Sequence, residues 1–173
     1  ELMVGAEPKI PEFASGMVLA IGPGLSKSEW ARTLFAQALS WPGPRVLDAD
    51  ALNLLAERAL DSFGTCDLGA ETVLTPHPAE AARLLQCTTA VIESNRPAAV
   101  HALAAKFGCV VLLKGAGTLI AAPNVPLGVC LFGNAGMASG GMGDVLTGVI
   151  AALLAQGLSA FDAAEQGALL HGK

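Results

Sequence analysis

Short, unbroken apolar runs alternate along the chain with longer stretches in which apolar residues return every third or fourth position. The short runs have the length and composition of strands buried on both faces. The longer ones carry the period of helices with a single apolar stripe. Residues 17–21 (MVLAI) are the first such run and end in Gly22-Pro23-Gly24. A helix is predicted over 28–39, with Trp30, Leu34, Ala38 and Leu39 on one face, and Pro42, Gly43 and Pro44 stop it. Residues 45–47 predict a short strand leading into Asp48-Ala49-Asp50, and Leu52, Leu55 and Ala59 suggest the helix that follows. A third strand over 71–74 is closed by Thr75-Pro76-His77-Pro78, with Pro78 suited to the first turn of a helix over 79–85. Val100, Leu103 and Phe107 align on a helix over 95–107. Residues 109–113 (CVVLL) predict a fourth buried strand, and 118–121 and 129–132 two more, antiparallel.

A glycine-dense loop over 133–143 feeds a helix in which Val145, Leu146, Val149, Ile150, Leu153 and Leu154 form a stripe facing a core, and a last helix spans 160–170. Strands joined by helical crossovers define an α/β protein with a mostly parallel central sheet and helices on both faces. Neither an internal repeat nor an interdomain linker interrupts the pattern, so 1–173 reads as one domain.

Composition narrows the function classes. With 53% hydrophobic and 14% charged residues the chain is no solvating or disordered segment. Tyr is absent and aromatics are few, so the core is built from Ala, Val, Leu and Ile. A net charge of −5 argues against nucleic acid or an anionic membrane as partner, while leaving room for a local cationic pocket. Residues 145–161 carry no charge, but Gly148, Gln156 and Gly157 interrupt them, and they read as a buried helix of a soluble chain. No basic-then-apolar signal segment opens the chain. Cys66, Cys87, Cys109 and Cys130 never form a CxxC, which argues against a zinc or redox motif and fits small buried hydrophobes in a reducing cytosol.

Chemistry-bearing residues concentrate at predicted strand ends, where ligands of open α/β sheets bind. The clusters are Gly22-Pro23-Gly24, Asp48-Ala49-Asp50, Thr75-Pro76-His77-Pro78, Lys114-Gly115-Ala116-Gly117-Thr118 and the loop ending at Asp144. The last, GNAGMASGGMGDVLTG over 133–148, holds six glycines in 16 residues before an apolar helix. Glycine permits close backbone approach, and a helix start offers unpaired N–H groups to an anion. No GK[ST] follows, so this is not a Walker A loop. Asp144 has two readings, a helix cap or a general base that takes a proton from a substrate hydroxyl beside a transferring phosphoryl group. VVLLKGAGT over 110–118 is either a tight hairpin turn or a backbone cradle for nucleotide phosphate or ribose. His77, held between two prolines, is structural or substrate-facing. Asp48 and Asp50 either cap the next helix or ligate Mg²⁺, and Asn53 faces the same crevice. His101 and His171 lie on helices without polar company and receive no role.

In this order, VLAIGPGL, DADALN, LTPHPAE, VLLKGAGT and GNAGMASGGMGDVLTG resemble the carbohydrate-kinase-like domain of ADP/ATP-dependent NAD(P)H-hydrate dehydratases, in the ribokinase-like superfamily, over essentially the whole chain. The resemblance implies a cytoplasmic repair lyase that dehydrates the S epimer of NADH or NADPH hydrate at the expense of ADP, giving AMP and phosphate, or of ATP. It implies Asp144 as the catalytic carboxylate in contact with the hydrate, Lys114, Gly115, Ala116, Gly117, Thr118 and Gly143 at the adenine nucleotide, and Gly24 and His77 at the hydrate. Mg²⁺ is expected to bridge the phosphates, with no protein metal ligand assigned. A homo-oligomer and, in the native protein, fusion to an epimerase domain are further expectations. The family domain has further strands and helices before Glu1 and another helix after Lys173, so this chain reads as a partial domain. Ser26 and Ala79 stand where the family usually has Gly. Two other readings are a hydroxyl kinase of the same superfamily, such as a hydroxyethylthiazole kinase, and a nucleotide-binding fragment without turnover.

Overall fold

The structure is a computed structural model describing residues 10, 12, 14, 16–61, 67–133, 137 and 139–173, without the side chains of 59–61. Six described strands form one sheet whose spatial order follows the chain. β1 (Leu19–Ile21), β2 (Arg45–Leu47), β3 (Thr72–Leu74) and β4 (Val110–Leu113) are parallel. β5 (Thr118–Ala121) and β6 (Gly128–Cys130) extend the sheet antiparallel.

That order dictates the layering. Right-handed crossovers that all step in one direction lay their helices on the same face. That face carries α1 (Glu29–Leu39), α2 (Ala49–Asp61), α3 (Pro78–Leu85) and α5 (Arg96–Phe107). The two helices after β6, α6 (Met142–Ala155) and α7 (Ala160–Gly172), cover the other. Side chains alternate across each strand. Leu47, Leu74, Val111 and Leu113 therefore join the first core with Leu52, Leu84, Leu103 and Phe107. Val46, Val73, Val110 and Leu112 join the second with Leu146, Ile150 and Ala164. Each fully buried Leu or Val contributes roughly 1.5–3 kcal/mol relative to exposure. Demand from both faces is why these strands read as continuous apolar runs rather than alternating ones.

Several boundaries differ from expectation. β1 begins at Leu19 rather than 17, and β6 ends at Cys130 rather than 132. Leu131 and Phe132 are 83% and 54% exposed and belong to a surface described below, so their apolar character extends the run without extending the ladder. Trp30 and Val145, expected on core stripes, are exposed. α1 instead buries Ala31, Phe35 and Ala38, and α6 buries Leu146, Thr147, Ile150 and Leu154. Both displaced residues sit in the first turn of their helix. A short helix not predicted from the sequence, α4 (Thr89–Ser94), is capped by Thr88 and buries only Ile92, too little for a helical period to register.

At the amino-terminal rim, Arg45 ties β2 to the end of α1. Its guanidinium donates to the carbonyls of Ala38, Leu39, Trp41 and Leu68, and to Thr72 Oγ1. These include carbonyls of the last turn of α1, which have no acceptor role left within the helix. The opposite rim gathers the carboxyl ends of β1–β4 and the first turns of the helices that follow them.

Candidate functional site

On that carboxyl rim the centre is Asp48, directly after β2 and 1% exposed. Its Oδ1 accepts from Lys114 Nζ at 2.8 Å and its Oδ2 from Thr147 Oγ1 at 2.9 Å. A carboxylate buried this deeply needs both partners, one charged and one neutral. The arrangement joins β2, the end of β4 and the first turns of α6, and it holds the Lys114 ammonium beside Gly143. A Cβ on Gly143 would lie 3.3 Å from Lys114 Nζ and 3.5 Å from Asp48 Oδ2. Asp48 thus directs its carboxylate to Lys114 and Thr147 rather than to the N–H groups that open α2, and each of its oxygens accepts one hydrogen bond. Asp50 accepts from the Ser26 N–H at 2.8 Å, and Asn53 accepts from Arg83 at 2.9 Å.

α6 starts without a side-chain cap, because Gly141 occupies the N-cap position in a left-handed conformation. The capping reading of Asp144 is therefore not what the structure shows. Asp144 is the third helical residue, exposed, in the turn where N–H groups lack intrahelical acceptors. Of the glycine-rich loop, Asn134, Ala135, Gly136 and Ala138 lie outside the described residues, as does Cys66. Cys109 and Cys130 are buried, and Cys87 is half-buried.

His77 caps α3. The N–H groups of Ala79 and Glu80 donate to its Nδ1 at 3.1 and 3.4 Å, while the His77 N–H donates to Glu80 Oε2 at 2.8 Å. This is a capping box with an imidazole in place of the usual hydroxyl. Accepting at Nδ1 assigns the proton to Nε2, which lies 3.3 Å from Glu80 Oε1 on a ring about half exposed. Burial pushes the Glu80 carboxyl above its ordinary range, opposed by the His77 N–H and the positive charge of Lys114.

Beside this rim lies a cavity of about 450 Å³, lined by Lys114, Gly115, Ala116, Gly117 and Thr118 after β4, by Gly143 and Leu146 of α6, and by an apolar wall of Leu131, Phe132 and Met137. One end suits an anion and the wall suits a planar ring. Six sequence-predicted residues, Lys114, Gly115, Ala116, Gly117, Thr118 and Gly143, are brought together here. Gly24, His77 and Asp144 are not among the lining residues. Gly24 occupies an exposed turn after β1, His77 the rim after β3, and Asp144 the residue next to Gly143. Two residues were missed from the sequence. His171, given no role, lines the cavity with a buried Nε2 that has no hydrogen-bond partner. Arg96, which opens α5, reaches under the 114–118 turn. Neither carried a local motif that marked it.

Among the described residues no group of three or more His, Cys, Asp or Glu side chains is placed to hold a metal ion. Nor is any helix among them long and apolar enough to cross a membrane.

A family model described as NAD(P)H-hydrate dehydratase matches residues 4–173. The chain is 50% identical over 155 residues to the bifunctional NAD(P)H-hydrate repair enzyme of Escherichia coli, an overlap of 90% of this chain and 29% of that protein. It is 51% identical over 129 residues to the ADP-dependent (S)-NAD(P)H-hydrate dehydratase of Neisseria meningitidis, covering 75% of this chain and 43% of that one. The crystal structure of the Bacillus subtilis ADP/ATP-dependent NAD(P)H-hydrate dehydratase, co-crystallised with ATP and Mg²⁺, superposes with a TM-score of 0.75 at 31% identity, over 90% of this chain and 53% of that chain. The chain thus spans about a third to a half of the length of these relatives.

Proposed function

Because the chain belongs to the NAD(P)H-hydrate dehydratase family, we propose that it takes part in repairing the S epimer of NADH or NADPH hydrate, with ADP as phosphoryl donor and AMP and phosphate as products. ADP is preferred to ATP on the name of the Neisseria relative. The observation that carries the reading is the cavity lined by the Lys114–Gly117 turn and Gly143, adjoining Asp144. A purine fits against Leu131, Phe132 and Met137, the phosphates run toward Lys114 and the uncapped start of α6, and the reacting phosphoryl group emerges beside Asp144.

Asp144 is then the base. Its carboxylate takes the proton of the ring hydroxyl as that oxygen bonds to the transferred phosphoryl group and the donor's bridging P–O bond breaks. The ring C–O bond breaks next, phosphate leaves with the bonding pair, and a proton lost from the adjacent carbon restores the double bond. Little covalent work falls to the protein, so positioning and charge neutralisation supply most of the acceleration. Lys114, held by Asp48, contributes positive charge on the phosphate side. Gly24 and His77, both exposed on the rim, are the proposed hydrate contacts.

Magnesium enters with the phosphates in this proposal. Mg²⁺ needs few protein ligands when phosphates supply the others, which fits a rim where Asp48 is committed and Asp144 is exposed. When bound, it would neutralise phosphate charge. The bifunctional names of several relatives support a second catalytic domain in the native protein, here proposed to be an epimerase, and the cytosol is the proposed location.

The test is to incubate the native protein with NADH hydrate, ADP and Mg²⁺, following both reduced-nicotinamide absorbance and phosphate. The proposal predicts nucleotide-dependent recovery with one phosphate per NADH. A stable phosphorylated product without recovery would instead identify a hydroxyl kinase.

A further inference from the structure

From the backbone around Arg96 we infer that this residue is the positioning group that turns the Lys114–Thr118 segment into an anion cradle. The inference rests on the nucleotide reading of the cavity. Arg96 is the first residue of α5, after the N-cap Asn95. Its Nη1 donates to the Ala116 carbonyl at 2.9 Å, and its Nη2 lies 3.2–3.4 Å from the carbonyls of Leu113, Lys114 and Gly117. The remaining carbonyl of the turn, that of Gly115, accepts from Thr118 Oγ1 at 3.1 Å. Four of the five carbonyls from Leu113 to Gly117 are therefore gathered by the guanidinium, and the fifth is taken by Thr118.

The amide side of the same turn is left open. The Lys114 N–H donates to the Pro76 carbonyl, but the N–H groups of Gly115, Ala116 and Gly117 donate to no described group. Three successive N–H groups without a described acceptor, in a turn that lines the cavity, make a concave donor surface for an anion. With four of the carbonyl dipoles gathered by a cation, the backbone adds to the positive character that Lys114 gives the cavity.

Gly115 belongs to the device. Its φ is +146°, and a Cβ there would lie 2.7 Å from both terminal nitrogens of Arg96, so a side chain and the guanidinium cannot share the space. Arg45 supplies the contrast. It gathers carbonyls in the same way at the far rim, where the carbonyls close a helix end. Arg45 is a brace. Arg96 is a brace whose other face is left for a ligand. Lysine cannot replace it, because a single ammonium lacks the planar fork that spans four acceptors.

The experiment is calorimetric titration of the native protein and its Arg96→Gln and Arg96→Lys variants with ADP, AMP and adenosine, alongside thermal melts. Arg96→Gln is expected to weaken ADP binding by roughly tenfold or more, the worth of a lost charge-assisted hydrogen bond. Adenosine, which carries no phosphate, should change by less than about twofold, and Arg96→Lys should recover only part of the ADP loss. A folded Arg96→Gln protein that binds ADP as the wild type does, or that loses adenosine as steeply as ADP, overturns the inference. Should Arg96→Gln fail to fold, Gly115→Ala displaces the guanidinium from the other side and carries the same expectation and the same refutation. Wild-type protein that binds no ADP would overturn the nucleotide reading itself, a failure visible before any substitution is made.

Discussion

Single residues carry the site through long-range partners. Asp48 reaches Lys114 and Thr147 across 66 and 99 positions of sequence, so its motif was legible but its task was not. Local spacing offered helix capping or Mg²⁺, and the fold adds a tie to Lys114 and Thr147. Asp48→Asn should lower stability by about 3 kcal/mol, the lower end of the cost of breaking a buried pair, because Lys114 keeps a fifth of its side chain in solvent. Urea unfolding measures this, and a midpoint equal to wild type would show that the pair contributes nothing. The same limit hid Arg96 and His171, whose partners or cavity walls come from distant segments. Lys114, Gly115, Gly117 and Gly143 were singled out because they fall in motifs that resemble a known family's, while their spacing alone fits a hairpin turn as well; the fold brings them to one cavity.

Elements were more legible than residues. The strands of the parallel sheet announced themselves because both faces are buried, and the long helices because each packs one stripe on a core. Legibility failed where an element is short, as in α4, or where apolar residues serve a cavity, as at Leu131 and Phe132. The start of α3 adds a pH dependence. Glu80 has a folded-state pKa raised by burial, so folding favours its protonated form. The stability it adds is complete below the unfolded value of about 4.3 and is lost as pH rises through the higher folded value. Glu80→Gln keeps an acceptor for the His77 N–H and cannot ionise. Its stability relative to wild type should therefore increase as pH rises through that window, as followed by urea midpoints. A difference independent of pH would contradict the burial argument.

For the whole molecule, one topological fact organises the rest. Four parallel strands in chain order place four carboxyl ends on one rim, and the antiparallel pair β5–β6 walls off a cavity at the β4 side of it. The rim thereby divides into a recessed part with apolar and cationic lining and a part carrying the exposed Gly24 and His77, with Asp144 where they adjoin. Such a division suits a reaction between two ligands, one seated in the recess and one approaching from solvent. The α/β class and the rim could be read from the order of strands and polar clusters. The cavity could not, because its wall comes from Leu131, Phe132 and α7, which look like ordinary core.

The most direct test of this account compares wild type with Asp144→Asn in two assays of the native protein, ADP binding and single-turnover repair of NADH hydrate. The account predicts ADP affinity near wild type and repair slowed by about 10²–10⁴-fold, the usual contribution of a positioned general base. Repair at the wild-type rate with ADP bound would contradict it, and would move the chemistry away from Asp144.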